Sequence, residues 1–322
     1  MNVYAFIICL FPVAAISRQA GKIETADINH FWSAYDMLAK ARTAEDSIMI
    51  MQQEYFDRST PYFRKFIKAR NFTPEEYVDL IRAYPAFWKS IRPMTERITT
   101  RKDEINAVFD QLSKTLPGFK RPDVCFAIGC MRTGGTTTND LILIWAEIAA
   151  ADNSIDKSGM SSWHQNVLGN TGDIVSMVAH ETVHTQQSGI PFLEIFSLIS
   201  HKKLSLLNMA VLEGSADFIT QEFLGLNINM AIHTYGDANT CTIWKEFKRD
   251  CDASPFDYSR WLYNGNAAGD RPADLAYYVG SKVTESYYIQ QEVKQKALKT
   301  ILKRGRYKRV VKESKFESLH CS

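Results

Sequence analysis

Large apolar residues recur three or four positions apart through most of the first third of the chain, the spacing of helices with one buried face. Stretches 27–41, 43–58, 73–83 and 95–112 are expected to be helical on this ground. Thr73-Pro74-Glu75-Glu76 is a start signal: a capping hydroxyl, a proline in the first turn and acids facing the helix dipole. Pro85 and Pro93 are expected to mark connections. The aromatic residues Phe31, Trp32, Tyr55, Phe56, Phe63, Phe66, Phe87 and Trp88 are expected to form core and groove wall. From 122 to 151 the pattern changes. Asp123–Gly129 and Leu141–Glu147 read as strands around a Thr/Gly-rich turn at 133–140. Helical spacing returns from Thr171 or Asp173 to about Gln187, and again from Lys203 to Leu224, closed by Gly225. Two further helices are expected over 273–293 and 294–303. The fold expected is therefore α+β, mainly α. A helical N-terminal region (18–118) precedes a region (119–322) that opens with a small sheet and continues as helices.

The chemistry lies on the helix that starts near Asp173. Residues 180–184 read His-Glu-Thr-Val-His. Residues four apart share a helix face, so His180 and His184 can direct imidazole nitrogens at one metal ion. Glu181 is offset by one position; it would not bind the ion but can reach a water that does. The motif is short and recurs in unrelated proteins, as a surface helix with two solvated histidines, so its surroundings must decide.

A catalytic zinc site takes three protein ligands and keeps one position open. One protease class supplies the third as a His six positions after the second, preceded by a Gly at three. Gln187 and Ile190 stand there and exclude that arrangement. Glu213 is the candidate instead, within the apolar helix 203–224, with Asp217 one turn further on the same face. Unpaired carboxylates are costly to bury. Glu213 as ligand and Asp217 as acceptor for the N–H of a ligand histidine would satisfy both. Gly214 is expected to allow close packing against the motif helix.

His-Glu-x-x-His followed by Glu-x-x-x-Asp resembles the gluzincin, or thermolysin-like, metallopeptidases. More narrowly, the chain resembles a bacterial family of predicted zinc-dependent proteases. The resemblance is carried by Ile128-Gly, Gly134-Gly-Thr, the strand ending at Glu147, Val178–Gln187, Glu213–Phe218 and Tyr277–Tyr288, and spans about 120–320. It implies a gluzincin-like core holding Zn²⁺ on His180, His184 and Glu213, with Glu181 as general base. A further donor should stabilise the oxyanion. Tyr278 is the candidate and Tyr277 the second choice, although both also suit a packing role. Gln186 and Gln187 are expected to face the substrate groove. His164 and His201 read as ordinary surface or core histidines, and neither Glu147 nor Trp145 is assigned chemistry.

Composition narrows the picture. At 322 residues and 45% hydrophobic content the chain can bury a core without disulfides. A net charge of +2 implies no global nucleic-acid or membrane partner. Val3–Ile16 carries no charge, is too short to span a bilayer and fits an export signal, although no Lys or Arg precedes it. Residues 1–17 are therefore expected to be a signal peptide directing export, with small residues suited to cleavage after Ala15. In an exported protein the favoured disulfide is Cys241–Cys251. Residues 294–315 hold ten Lys or Arg, but Leu298, Ile301, Leu302, Val310 and Val311 favour a helical end with a solvated basic face. The function expected is zinc-dependent hydrolysis of a peptide or protein. A zinc-fold binding protein without turnover and a metal-dependent hydrolase of a non-peptide bond are the alternatives.

Overall fold

A computed structural model of the chain describes residues 21–131, 135–138, 140–161, 164–165, 168–169, 173–188, 204–228, 230–265 and 268–321. The expected signal segment, 1–17, and His201 lie outside them. The described chain begins with β1 (Ile23–Glu24), followed by α1 (Ala26–Met37), α2 (Ala44–Met51), α3 (Pro61–Arg70), α4 (Pro74–Ala83), α5 (Pro85–Arg97) and α6 (Lys102–Thr115). Local chemistry sets several starts. Thr43 and Asp46 form a reciprocal capping box, and Thr60 and Thr73 each cap a helix whose next residue is proline. Pro85 marks a connection as expected, between α4 and α5, whereas Pro93 does not. Pro85 opens α5 and Pro93 lies inside it, because Phe87, Trp88, Ile91 and Met94 give that helix a buried face that outweighs the lost backbone bond.

The sheet follows: β2 (Asp123–Ala127), β3 (Gly135–Thr137) and β4 (Leu141–Trp145), in the order β1-β2-β4-β3. β1 and β4 run parallel to β2, and β3 pairs antiparallel with β4 at one edge. The second expected strand ends at Trp145; Glu147 belongs to the short α7 (Ala146–Ala149). Every residue of β2 and β4 is buried. Helices α1 and α3 contact β2, while the helix carrying the His-Glu-x-x-His motif contacts β3 and β4. The end of β2 is tied down by two buried phenols: Tyr55 and Tyr77 donate to the Ile128 carbonyl at 2.6 and 2.9 Å.

The motif helix is α8 (Ile174–Gln186), capped by Asp173. It is followed by α9 (Leu206–Leu224), which ends on Gly225 in the left-handed region, α10 (Met230–Ala253), kinked at Asn239, and α11 (Ala276–Gln290). The chain closes with α12 (Lys294–Ile301), α13 (Tyr307–Ser314) and α14 (Phe316–His320). Helices α9 and α11 pack backbone to backbone. A Cβ on Gly214 would lie 2.1 Å from Ser281 N, and one on Gly280 would lie 1.7 Å from the Ala210 carbonyl oxygen. Gly214 thus serves the contact with α11, not the contact with the motif helix that its position suggested. In α12 and α13 the apolar residues Leu298, Ile301, Tyr307 and Val310 are buried and the lysines exposed. No helix among the described residues is long and apolar enough to cross a membrane.

The disulfide joins Cys241 to Cys321, with Cα atoms 5.2 Å apart. The expected Cys241–Cys251 pair is ruled out by geometry. Both residues lie on α10, and ten residues of helix separate them by about 15 Å, beyond the reach of a disulfide.

Candidate metal centre

Three ligand-type atoms converge where α8 meets α9. Nε2 of His180 and Nε2 of His184 are 3.0 Å apart, and Glu213 Oε2 lies 3.5 and 3.1 Å from them. Ligands at zinc–nitrogen and zinc–oxygen distances on a tetrahedron stand about 3.4 Å from one another, so these spacings fit one ion. Two imidazole nitrogens this close repel unless a proton or cation lies between them. The three side chains form the one His/Cys/Asp/Glu group with metal-binding spacing among the described residues.

The other nitrogen of each imidazole is also engaged, and this fixes which nitrogen faces the cluster. His180 Nδ1 lies 2.8 Å from Asp217 Oδ1. His184 Nδ1 lies 2.8 Å from Gln187 Oε1, and the Gln187 amide donates to the Leu212 carbonyl and to Ser215 Oγ at 2.8 and 3.0 Å. Gln187 therefore clamps α8 to α9 behind His184 and does not face a groove. Gln186 does not face one either: it accepts from Lys120 N and donates to Lys120 O, both at 2.8 Å.

Electrostatics follow from burial and these partners. Burial disfavours charge on His180, but Asp217 and Glu213 outweigh it and raise its pKa to about 10. His184 is also raised: burial works against this, and Glu213 overcomes it. Burial would push the Glu213 carboxyl up, yet the two imidazoles hold it well below the ordinary range. Glu181 is raised by burial, which the same imidazoles offset only in part. Without metal, the cluster holds protons that a cation must displace.

Glu181 points toward the sheet edge. A Cβ on Gly135 of β3 would sit 3.3 Å from Glu181 Oε1. The far side of β3 has no strand partner among the described residues. Tyr277 stacks on His180 with ring centroids 6.0 Å apart and 23° between planes. Tyr278, the expected oxyanion donor, is placed elsewhere. Its hydroxyl meets Thr240 Oγ1 at 2.7 Å and Asp237 Oδ1 at 3.1 Å, both on α10. Adjacent residues on a helix point about 100° apart, so only one of the two tyrosines can face the cluster.

Two groups near the cluster were not singled out from the sequence. Tyr263 lies on the loop between α10 and α11 with φ 55°, and its side chain is exposed. Its N–H donates to Asp274, itself at φ 61°, whose N–H donates to Asn264 Oδ1 at 2.9 Å. Backbone held in this region costs energy and concentrates at functional sites. The Tyr263 phenol lies within electrostatic reach of Glu213, Asp274 and Glu181. The second group is His233 on α10, whose Nε2 is 3.6 Å from Asp217 Oδ2.

Glu147, fully buried at the end of the sheet, accepts from Gly129 N at 2.9 Å and Met131 N at 3.1 Å, fixing the turn that leaves β2 toward β3. Burial raises its carboxyl to about 7 against the pull of these N–H groups. His164, from a later segment, contacts the same turn, its Nε2 3.2 Å from the Met131 carbonyl.

Residues 159–304 match a family described as predicted Zn-dependent protease (DUF2268). The matched segment contains His180, Glu181, His184, Glu213, Asp217, His233 and Tyr277, and it bears out the resemblance read from the motif stretches over a narrower span. The cluster geometry is consistent with the His-Glu-x-x-His…Glu pattern of gluzincins. No curated protein and no solved structure gives a significant match to the chain.

Proposed function

We propose that the protein is a zinc-dependent peptidase, with the ion held by His180, His184 and Glu213. The observation that carries this reading is the convergence of His180 Nε2, His184 Nε2 and Glu213 Oε2 at 3.0–3.5 Å, with both imidazoles oriented from behind. Zinc at such a site supplies a Lewis acid and lowers the pKa of water to about 7. Glu181, half-buried on the same helix, accepts the proton of the attacking water and returns it to the leaving amine. To Tyr263, an exposed phenol on the loop between α10 and α11 and within electrostatic reach of Glu213 and Glu181, we assign the hydrogen bond to the developing oxyanion.

An extended peptide suits the architecture. The open edge of β3 runs past Glu181, and a substrate strand added there would bring its carbonyls to the site while its backbone pairs with the sheet. The Cys241–Cys321 bridge favours an oxidising compartment, in line with export.

The test is a digest of a broad peptide library by zinc-loaded protein, run beside Glu181→Gln. Wild type should cleave, and the variant should keep stoichiometric zinc while losing about 10²-fold or more of the rate. Equal cleavage by the two proteins removes Glu181 from the mechanism. Purified wild type that takes up no zinc removes the metal reading.

A further inference from the structure

Asp217 is buried at 4% exposure, yet only one of its two oxygens faces His180. The other, Oδ2, faces His233 Nε2 at 3.6 Å. A buried carboxylate needs partners for both oxygens, and here each oxygen faces one imidazole at ion-pair distance. With one contact the carboxylate can still rotate about its terminal torsion. With a contact on each side its plane is set, and with it the direction in which it holds His180.

His233 is itself held in place. The Tyr278 ring packs edge-on against it, with centroids 5.8 Å apart and 70° between planes. Gly236, one turn along α10, makes room for that ring: a Cβ there would lie 2.4 Å from Tyr278 Cδ2. The Tyr278 hydroxyl is fixed by Thr240 and Asp237, one to two turns beyond His233 on the same helix. The contacts therefore run from Tyr278 on α11 to His233 on α10, Asp217 on α9 and His180 on α8. His233 is not within the group of atoms that could share the ion.

We infer that His233 is a positioning residue for the metal centre, acting on His180 through the second oxygen of Asp217, with Tyr278 as the wedge that holds His233. This rests on the metal site proposed above but not on hydrolysis. Partners of this kind, behind a ligand, typically change metal affinity by 10- to 100-fold. At 3.6 Å the contact is longer than a direct hydrogen bond, so the lower end applies.

The experiment uses the full chain and reads metal binding rather than turnover. Zinc dissociation constants are measured by chelator competition for wild type, His233→Ala, His233→Gln, Asp217→Asn and the His233→Ala/Asp217→Asn double variant. The visible spectrum of the cobalt-loaded proteins reports ligand geometry, and melting of the metal-free proteins reports fold. His233→Ala should weaken zinc about tenfold and shift the cobalt spectrum, with the metal-free fold intact. His233→Gln, which keeps an N–H donor, should recover most of the loss. The double variant should be no weaker than Asp217→Asn alone, because both act through one carboxylate. If the alanine variant does not fold, His233→Leu fills the space without a donor and should show the same loss. Zinc affinity within about twofold of wild type with an unchanged cobalt spectrum, or losses that simply add in the double variant, overturns the inference. A wild type that binds zinc but cleaves nothing would sink the peptidase reading and leave the His233 result readable. A wild type that binds neither metal overturns both.

Discussion

Replacing Gly280 by alanine tests whether the backbone contact between α9 and α11 sets the ligand geometry. The new Cβ would lie 1.7 Å from the Ala210 carbonyl oxygen and 2.4 Å from its carbon. Both are backbone atoms of α9, so no side chain can swing aside. Reaching an ordinary contact needs the helices to part by about 1.5 Å at that point, in a core packed to crystal-like density. Overpacking of this kind costs about 1–3 kcal/mol or more, while alanine in place of glycine within a helix returns up to about 1 kcal/mol. The net expectation is a loss of about 2 kcal/mol. Glu213 lies three residues beyond Ala210 on the displaced helix, so zinc affinity should fall as well, unlike for a purely local defect. Urea unfolding of the metal-free protein gives the first quantity, and chelator competition gives the second. A Gly280→Ala protein with wild-type midpoint and wild-type zinc affinity would refute the argument that this contact positions α9.

Two pH dependences follow from the electrostatics. The His180 imidazole holds its proton up to about pH 10 in the metal-free cluster and His184 is also raised, so zinc must displace protons. Zinc affinity should therefore rise with pH between 6 and 8, with proton release visible by calorimetry in buffers of different ionisation heat; a flat profile contradicts the assignment. The Glu147 carboxyl is raised from 4.5 to about 7 in the folded protein. Its contribution to stability is fully present below the unfolded value and lost as pH rises through about 7, a swing of about 3 kcal/mol. Glu147→Gln should flatten that part of the stability–pH curve, and a wild-type curve already flat from pH 4.5 to 7 would count against a raised Glu147.

The parts of the site legible in the sequence are those whose spacing repeats a helix turn. His180 and His184 four apart, and Glu213 and Asp217 four apart in an apolar stretch, define two faces that must meet, and the structure brings them together. What the sequence did not disclose depends on which way neighbouring residues turn. Tyr277 and Tyr278 are equivalent in composition, yet the rotation of α11 places the first on His180 and the second on α10. Gln187 follows His184 by three positions and so shares its face, a signal that could have assigned it to the Nδ1 side. Helix α10 has no continuous apolar stripe to mark it in the sequence. Its buried residues Ile232, Gly236, Ile243, Trp244 and Phe247 form two short runs separated by the kink at Asn239, and His233 lies among them without a pattern of its own. The small sheet was legible because β2 and β4 are continuous apolar runs, whereas the two-residue β1 has no pattern to detect.

The Cys241–Cys321 bridge also changes the topology of the chain. It closes a covalent ring that begins within α10 and contains the loop bearing Tyr263, all of α11 and the basic helices beyond. A cut anywhere in that ring leaves one molecule rather than two, with α11 still tethered at both sides of the break. The metal-type cluster on α8 and α9 lies outside the ring, while α11, which packs on α9, lies inside it, so the ring keeps that supporting helix joined to the rest of the chain after a break.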